Sequence, residues 1–363
     1  MRYIGGKSLM LDNINDVIKE NTKNVNTVLD VFSGSGVVAT NFKKLNYAVR
    51  TNDALYFSYV LNRGTICLNR VPKFQGLGIK NPISYLNNLT IENTDFTLDD
   101  CFIYKNYSPN EDCNRMYFQN ENAIKIDIIR LTIENWKAEG KIDEDEYFYL
   151  LSALINAVPF ISNITGVYGA YLKHWDVRTY NSLTLTEPEI IRSRKKHIAF
   201  NMDANELAKD ITVDLAYLDP PYNERQYLPN YHVLETIAKY DNPQLHGVTG
   251  MRDYSGQRSD FCQKSKVADA FRELLDNINA KYILVSYNNE GLLSTEELSK
   301  IVQDAGVKGS FQLFEYDYRR YKNKIPNNKS GLKEQIYFVR KRRRPAKASL
   351  VCDSCKNPLS GRC

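Results

Sequence analysis

No run of about 18 apolar residues occurs in the chain, and Met1-Arg2-Tyr3-Ile4-Gly5-Gly6-Lys7 lacks the apolar centre of a signal peptide. A membrane-spanning reading is thereby excluded, and a soluble, cytoplasmic protein is expected. Paired cysteine spacing is missing from the body of the chain. Cys67, Cys101, Cys113 and Cys262 are scattered, which argues against a disulfide framework and for reduced thiols. Cys352, Cys355 and Cys363 crowd the last residues, but no histidine lies near enough to complete a four-ligand zinc site, so an unstructured tail is expected and no metal. Internal repeats and low-complexity tracts are absent as well, which excludes a solenoid.

What is present is a chain of 363 residues, 43% hydrophobic, large enough to bury a core as one domain with a substantial insertion or as two domains. The net charge of +5 is unevenly placed. Between Arg319 and Lys347 there are 12 Lys and Arg against one acid, Glu334. Such a stretch is either the footprint of a phosphate-backbone binder, with Arg342, Arg343 and Arg344 as contacts, or a solvated terminal run.

Segments rich in β-branched and aromatic residues predict strands at about 27–32, 48–52, 197–201, 213–218, 281–286, 309–317 and 335–341. Apolar residues at three- and four-residue intervals predict helices over Leu9–Glu20, Val37–Leu45, Leu228–Lys239, Lys266–Ile278 and Thr295–Asp304. The alternation implies a parallel α/β sheet with right-handed crossovers, and the last two strands, joined without a helical pattern, are expected to pair antiparallel. Between about 64 and 190 the alternation breaks. Two helices, Glu121–Lys137 and Glu144–Ala157, sit there among polar, aromatic-rich sequence, far more than a crossover needs, so an inserted subdomain is expected.

The most informative motif is Asp219-Pro220-Pro221-Tyr222, directly after the apolar run Val213–Leu218. Open α/β sheets bind ligands at that carboxyl edge. Two consecutive prolines fix φ and remove two donors, leaving rigid acceptors beside an aromatic plate, a shape suited to a planar amine. Upstream, Asp30-Val31-Phe32-Ser33-Gly34-Ser35-Gly36 joins a strand to a helix, where backbone amides can approach an anionic or zwitterionic ligand. It departs from the dinucleotide fingerprint at Ala39 and from the P-loop, which ends in Gly-Lys-Ser/Thr. Asp53, about twenty residues beyond the glycines, ends the second strand and can accept ribose hydroxyls. Asp203 ends the third and can accept from an adenine amine, or serve as a helix N-cap.

Tyr3 to Lys7, Asp30 to Gly36, Asp203 and Asp219 to Tyr222 occur in an order that resembles the Dam-like, alpha-group adenine-specific DNA methyltransferases of restriction–modification systems. The resemblance covers about 1–62 and 195–340. The string Asp219–Tyr227, with Ser286-Tyr287-Asn288-Asn289, looks like the members that modify asymmetric sites. The resemblance implies a seven-stranded S-adenosylmethionine-dependent methyltransferase (Rossmann-like) sheet over 1–63 and 191–341, a mainly helical target-recognition subdomain over 64–190, and a basic tail over 342–363. It implies that Lys7, Asp30, Phe32, Gly34, Gly36, Asp53 and Asp203 surround S-adenosylmethionine. Its partners would be double-stranded DNA and a cognate restriction endonuclease.

The chemistry follows from the amine's electronics. An adenine amino nitrogen delocalises its lone pair into the ring, so Asp219 and the Pro220 carbonyl, each accepting one N–H, would hold it toward tetrahedral geometry and stabilise the charge that develops on it. Tyr222 would stack on a base flipped out of the duplex. Arg225 and Tyr227 are expected on the flipped nucleotide's phosphates, Tyr287 and Asn288 along the base pocket, and His232 in a structural role. RNA or cytosine-amine methylation shares the four-residue motif and is the competing enzyme reading. A non-catalytic nucleic-acid-binding protein on the same fold is the competing reading from another class.

Overall fold

The computed structural model describes residues 5–317 and 331–342. Arg343, Arg344, Cys352, Cys355 and Cys363 lie outside the described residues, as do Tyr3, Ile4 and the basic positions from Arg319 to Lys329. The first half runs α1 (Leu11–Asn21), β1 (Thr27–Asp30), α2 (Val37–Lys44), β2 (Ala48–Asn52), α3 (Tyr56–Thr65), α4 (Pro82–Asn87), α5 (Phe102–Tyr107), α6 (Asn120–Ala138) and α7 (Glu144–Ala157). The second runs β3 (Ile198–Phe200), α8 (Ala204–Asp210), β4 (Thr212–Leu218), α9 (Leu228–Lys239), β5 (Leu245–His246), β6 (Met251–Arg252), α10 (Val267–Asn277), β7 (Asn279–Asn288), α11 (Thr295–Ala305), β8 (Gln312–Asp317) and β9 (Lys333–Arg340).

Among the described residues these strands form a seven-stranded sheet in the order β3-β2-β1-β4-β7-β9-β8, with β5 and β6 as a separate ribbon. The first five of that order run parallel, and β9 is antiparallel to both β7 and β8. This is the α/β sheet expected, with its antiparallel pair at one end. The central strands are covered on both faces, which is why they read as near-continuous apolar runs. Ile14 and Val17 of α1 and Phe42 of α2 pack with Val28, Leu215 and Leu284 on one face. Leu207 of α8, Phe271 of α10 and Val302 of α11 pack with Leu29, Ala216 and Ile283 on the other. The strand order reverses between β1 and β4, where Asp30 lies opposite Tyr217, so a crevice opens there at the carboxyl edge.

Residues between α3 and β3 build a third cluster in which Ile126 and Ile129 of α6 and Leu150 and Leu154 of α7 pack against Phe57 and Val60 of α3 and Leu234 of α9. The insertion therefore shares its core with two helices that bracket the sheet. α3 and α7 meet at Gly64, where a Cβ would stand 2.3 Å from the Phe148 carbonyl oxygen and 2.4 Å from Ser152 Oγ. Both neighbours belong to a buried helix and cannot retreat cheaply. Gly64→Ala is expected to destabilise the chain by about 1–3 kcal/mol, the cost of overpacking, despite alanine's better helix propensity; a denaturant midpoint equal to or above that of the unsubstituted chain would contradict this packing. Among the described residues no helix is long and apolar enough to cross a membrane.

Candidate active site

A cavity of about 350 Å³ opens at the carboxyl edge of β1, β2 and β4. Its floor follows from the Asp30–Gly36 turn. Gly34 and Gly36 take left-handed φ values of 49° and 80°, and a Cβ on Gly36 would stand 2.9 Å from Asn62 Oδ1, so the turn into α2 requires glycine there. The Gly34 amide donates to Asp53 Oδ2 at 2.8 Å and the Leu55 amide to Oδ1 at 2.9 Å. One carboxylate thus braces the turn from the end of the neighbouring strand, with lone pairs left over. Burial pushes the Asp53 carboxyl up to about 6, partly offset by the Leu55 and Gly34 amides. Burial, with the nearby Asp219 and Asp53 carboxylates, holds Asp30 well above the usual carboxylate range. Asp30 Oδ1 is buried without a hydrogen-bond partner. A buried acceptor with no partner, beside a glycine turn and a carboxylate two strands' ends share, fits a ligand that brings its own donors into this cavity.

The opposite wall is the proline corner. Lys7, 4% exposed, places Nζ 3.1 Å from Asp219 Oδ1, 3.2 Å from Glu334 Oε2 and 5.0 Å from the Tyr222 ring centre. Burial alone would lower the Lys7 ammonium; the Asp219 carboxylate, with Tyr222 and Glu334, outweighs it and holds the pKa well above 10.5. Burial raises Asp219 to about 6, with Lys7 pulling down and Glu334 pushing up. Gly5 must be bare, because a Cβ there would stand 2.8 Å from the Tyr222 hydroxyl. The Gly5–Lys7 segment therefore seats directly on the corner.

A loop after β6 closes the remaining side. Gln226 donates through Nε2 to the Ser259 carbonyl at 3.0 Å and accepts the Ser259 amide on Oε1 at 2.8 Å, so the loop following Tyr222 is clamped to it. Phe261 meets Phe32 edge-on at 5.1 Å. Gln257 and Lys239, also on the cavity wall, are held by Glu235 at 2.8 and 3.0 Å.

Of the residues singled out in the sequence, Lys7, Asp30, Phe32, Gly34, Asp53, Asp203, Asp219, Pro221 and Tyr222 line this one cavity. Asp203 is also the N-cap of α8, its Oδ1 accepting the Asn205 and Glu206 amides, so both readings of that residue hold in geometry. Gly36 and Pro220, although next in the chain to lining residues, do not line it themselves. Tyr227 turns into the cavity, whereas Arg225 is exposed on the loop. Tyr287 is not brought to the pocket wall: it is fully buried behind Tyr222, ring centres 5.8 Å apart, with its hydroxyl accepting the Leu292 amide. Asn288 is nearly buried and accepts the Glu290 amide. Arg342 is at the far edge, since β9 runs against β7; its guanidinium donates to the Gly306 carbonyl at 2.6 Å. His232 is fully buried against the Tyr168 carbonyl, and burial drops it to about 4, so it is neutral and structural. Cys67, Cys101, Cys113 and Cys262 are free thiols.

Glu334, Gln226 and the 255–261 loop are the parts that sequence reading missed. Glu334 carried one available signal: it is the lone acid of the basic segment and stands two residues before the apolar run Ile336-Tyr337-Phe338-Val339, where a buried charge needs a partner.

Sheet order, the switch-point cavity and the proline corner define an α/β fold of the methyltransferase type. The chain belongs to the D12 class N6 adenine-specific DNA methyltransferase family, whose profile matches residues 3–301. It is 47% identical over 346 residues to the type II methyltransferase M.FokI of Planomicrobium okeanokoites, covering 94% of this chain and 53% of that protein. It is 43% identical to the modification methylase StsI of Streptococcus sanguinis, covering 94% of this chain and 52% of that one. The type II methyltransferase M.NlaIII of Neisseria lactamica is 37% identical, with 91% and 95% covered. The chain thus spans about half the length of the first two relatives and nearly all of the third.

Proposed function

We propose that this chain transfers a methyl group from S-adenosylmethionine to the N6 amine of adenine in duplex DNA, as the modification partner of a restriction endonuclease, and that it sits in the Dam-like alpha group of its family. The observation that carries the reading is the pair of buried Lys7 and half-buried Asp219 set against the proline corner, on the same cavity as Asp30, Gly34 and Asp53. When bound, S-adenosylmethionine supplies an electrophilic methyl on a sulfonium. Phe32, Gly34, Asp53 and Asp203 would hold the donor, Asp53 by accepting from ribose hydroxyls and Asp203 from the adenine amine. Lys7 occupies Oδ1 of Asp219, which leaves Oδ2 to accept one N–H of the target amine while the Pro220 carbonyl accepts the other. These two fixed acceptors favour the pyramidal nitrogen and the positive charge it gains, and most of the remaining barrier is alignment. Tyr222 stacks on the extruded base, whose removal from the duplex costs a few kcal/mol. The 64–190 insertion reads the DNA sequence.

Incubating the chain with donor labelled in the methyl group and equal masses of duplex DNA and RNA, then hydrolysing the product, is expected to give N6-methyladenine from DNA alone. Label confined to RNA, or appearing as N4-methylcytosine, would replace this reading with its competitor.

A further inference from the structure

Besides Asp219 and Lys7, a third charged side chain is buried at the proline corner, and nothing in the reaction described so far uses it. Glu334, the second residue of β9, lies opposite Asn288, the last residue of β7, and is 4% exposed. Because β9 runs antiparallel to β7, this end of the strand reaches the carboxyl edge where Asp219 stands, although 115 residues of chain separate the two acids. Lys7 bridges them, 3.1 Å from one and 3.2 Å from the other. One buried cation between the half-buried Asp219 and the buried Glu334 leaves the ionised cluster with a single net negative charge. A Lys7–Asp219 pair alone would be neutral.

That difference matters for the chemistry in question. Methyl transfer from a sulfonium to a neutral amine moves a positive charge onto the nitrogen, which Asp219 contacts. A neutral pair would offset the attraction of Asp219 with the repulsion of Lys7, whereas a cluster bearing net negative charge stabilises the product side of the transfer. Resting on the methyltransferase reading above, we propose that Glu334 is a positioning residue that acts through Lys7: it holds the ammonium between two carboxylates and offsets its charge, so that Asp219 meets the reacting amine as an effective anion.

The other titratable groups facing Asp219 are Asp30 at the end of β1, Tyr217 on β4, and Tyr222 and Tyr227 after it. Burial holds the three tyrosines above their ordinary value, so they are neutral near pH 7, and it raises Asp30 in the same sense; the ion pairs at the corner are those of Lys7 with Asp219 and Glu334. Glu334 acts on Asp219 in a readable direction: its charge pushes the Asp219 carboxyl up, against the pull of Lys7.

Glu334→Gln keeps the shape and removes the charge. We expect kcat to fall about 10- to 100-fold, the scale of one charge removed a few ångströms from the reacting atom, with the donor KM little changed. The acid limb of the kcat–pH profile should move to lower pH, because Asp219 loses the neighbour that raised it. Adding Lys7→Met to Glu334→Gln returns the site to one net negative charge and should regain part of the lost turnover, while Glu334→Asp should keep the original limb. Infrared titration of the Asp219 carboxyl in Glu334→Gln supplies a readout that needs no turnover, and its midpoint should drop. Unchanged kcat and an unmoved limb, an unmoved carboxyl midpoint, or a double variant no better than Glu334→Gln would each overturn the proposal. The unsubstituted chain keeps the two claims apart: if it methylates adenine in DNA while Glu334→Gln behaves identically, only the role of Glu334 fails, and if it methylates nothing, the methyltransferase reading fails.

Discussion

Asp219→Asn is expected to lower methyl transfer by about 10³-fold or more while leaving donor binding within a few-fold of the unsubstituted chain. The substitution is nearly isosteric, so the corner keeps its shape. What it removes is a charged acceptor 3.1 Å from Lys7, and what it adds is an amide that can present N–H where the target amine already presents its own. Lys7 and Glu334 would then form a neutral pair, and no net negative charge would face the charge developing on the amine. The same carboxylate predicts a pH dependence. Burial raises Asp219 to about 6 against the opposing pull of Lys7, and only the ionised form can accept from the amine without a competing proton. Turnover should therefore be lost as pH falls through about 6, and because burial raises Asp53 to about 6 as well, donor binding should weaken over the same interval. Calorimetric titration of the donor and single-turnover methylation, run side by side across pH, check both. Near-normal turnover in Asp219→Asn would remove the acceptor pair from the mechanism altogether.

The sheet was legible because its strands are short apolar runs between turn signals, and the order of acids at their ends survived translation into three dimensions. Asp30, Asp53, Asp203 and Asp219 do line one cavity. What could not be read depends on contacts remote in sequence. α3 begins Tyr-Phe-Ser-Tyr-Val, contains Gly64 and has no side-chain cap of its own, so neither composition nor a local start signal announces it. α8 is only seven residues long, too short for a periodicity to emerge. Tyr287 reads as an aromatic at a strand's carboxyl end, a natural pocket wall, but Tyr222 occupies that wall and a Cβ on Gly291 would strike the Tyr287 ring, so it is core. Arg342 belongs to a run that looks like one electrostatic unit. The antiparallel sense of β9 separates its two ends across the sheet, putting Glu334 against Lys7 and Arg342 against the Gly306 carbonyl at the far edge.

Glu235→Ala should be the most destabilising single substitution among the groups discussed, by about 3–5 kcal/mol, the penalty for breaking a buried, fully paired charge. Glu235 on α9 has no exposed surface. It accepts the Tyr56 and Phe57 amides at 3.1 and 2.9 Å, and so supplies the cap that α3 lacks locally. It also receives Gln257 Nε2 at 2.8 Å and pairs with Lys239 Nζ at 3.0 Å. Four donors converge on two oxygens, and removing the carboxylate strands the two helical amides, while the half-buried Lys239 keeps Gln257 Oε1 at 3.3 Å. Glu235→Gln should be nearly as costly, because its amide nitrogen would face donors on every side; this contrasts with Asp219, where the isosteric change is expected to spare the fold. The loss should also reach the cavity. Gln257 donates to the Ala54 carbonyl as well as to Glu235, and it shares a wall with Asp53 and Lys239. With the anchor gone, the 255–259 loop keeps the Gln226 clamp and the Gln257–Ala54 bond but loses its tie to α9 through Glu235, and donor affinity should weaken about tenfold as the loop's ordering cost is carried by binding. Denaturant unfolding combined with donor titration tests both halves. A midpoint matching that of the unsubstituted chain would show that α3 caps itself, whereas lost stability with unchanged donor affinity would detach the loop from the donor side of the cavity.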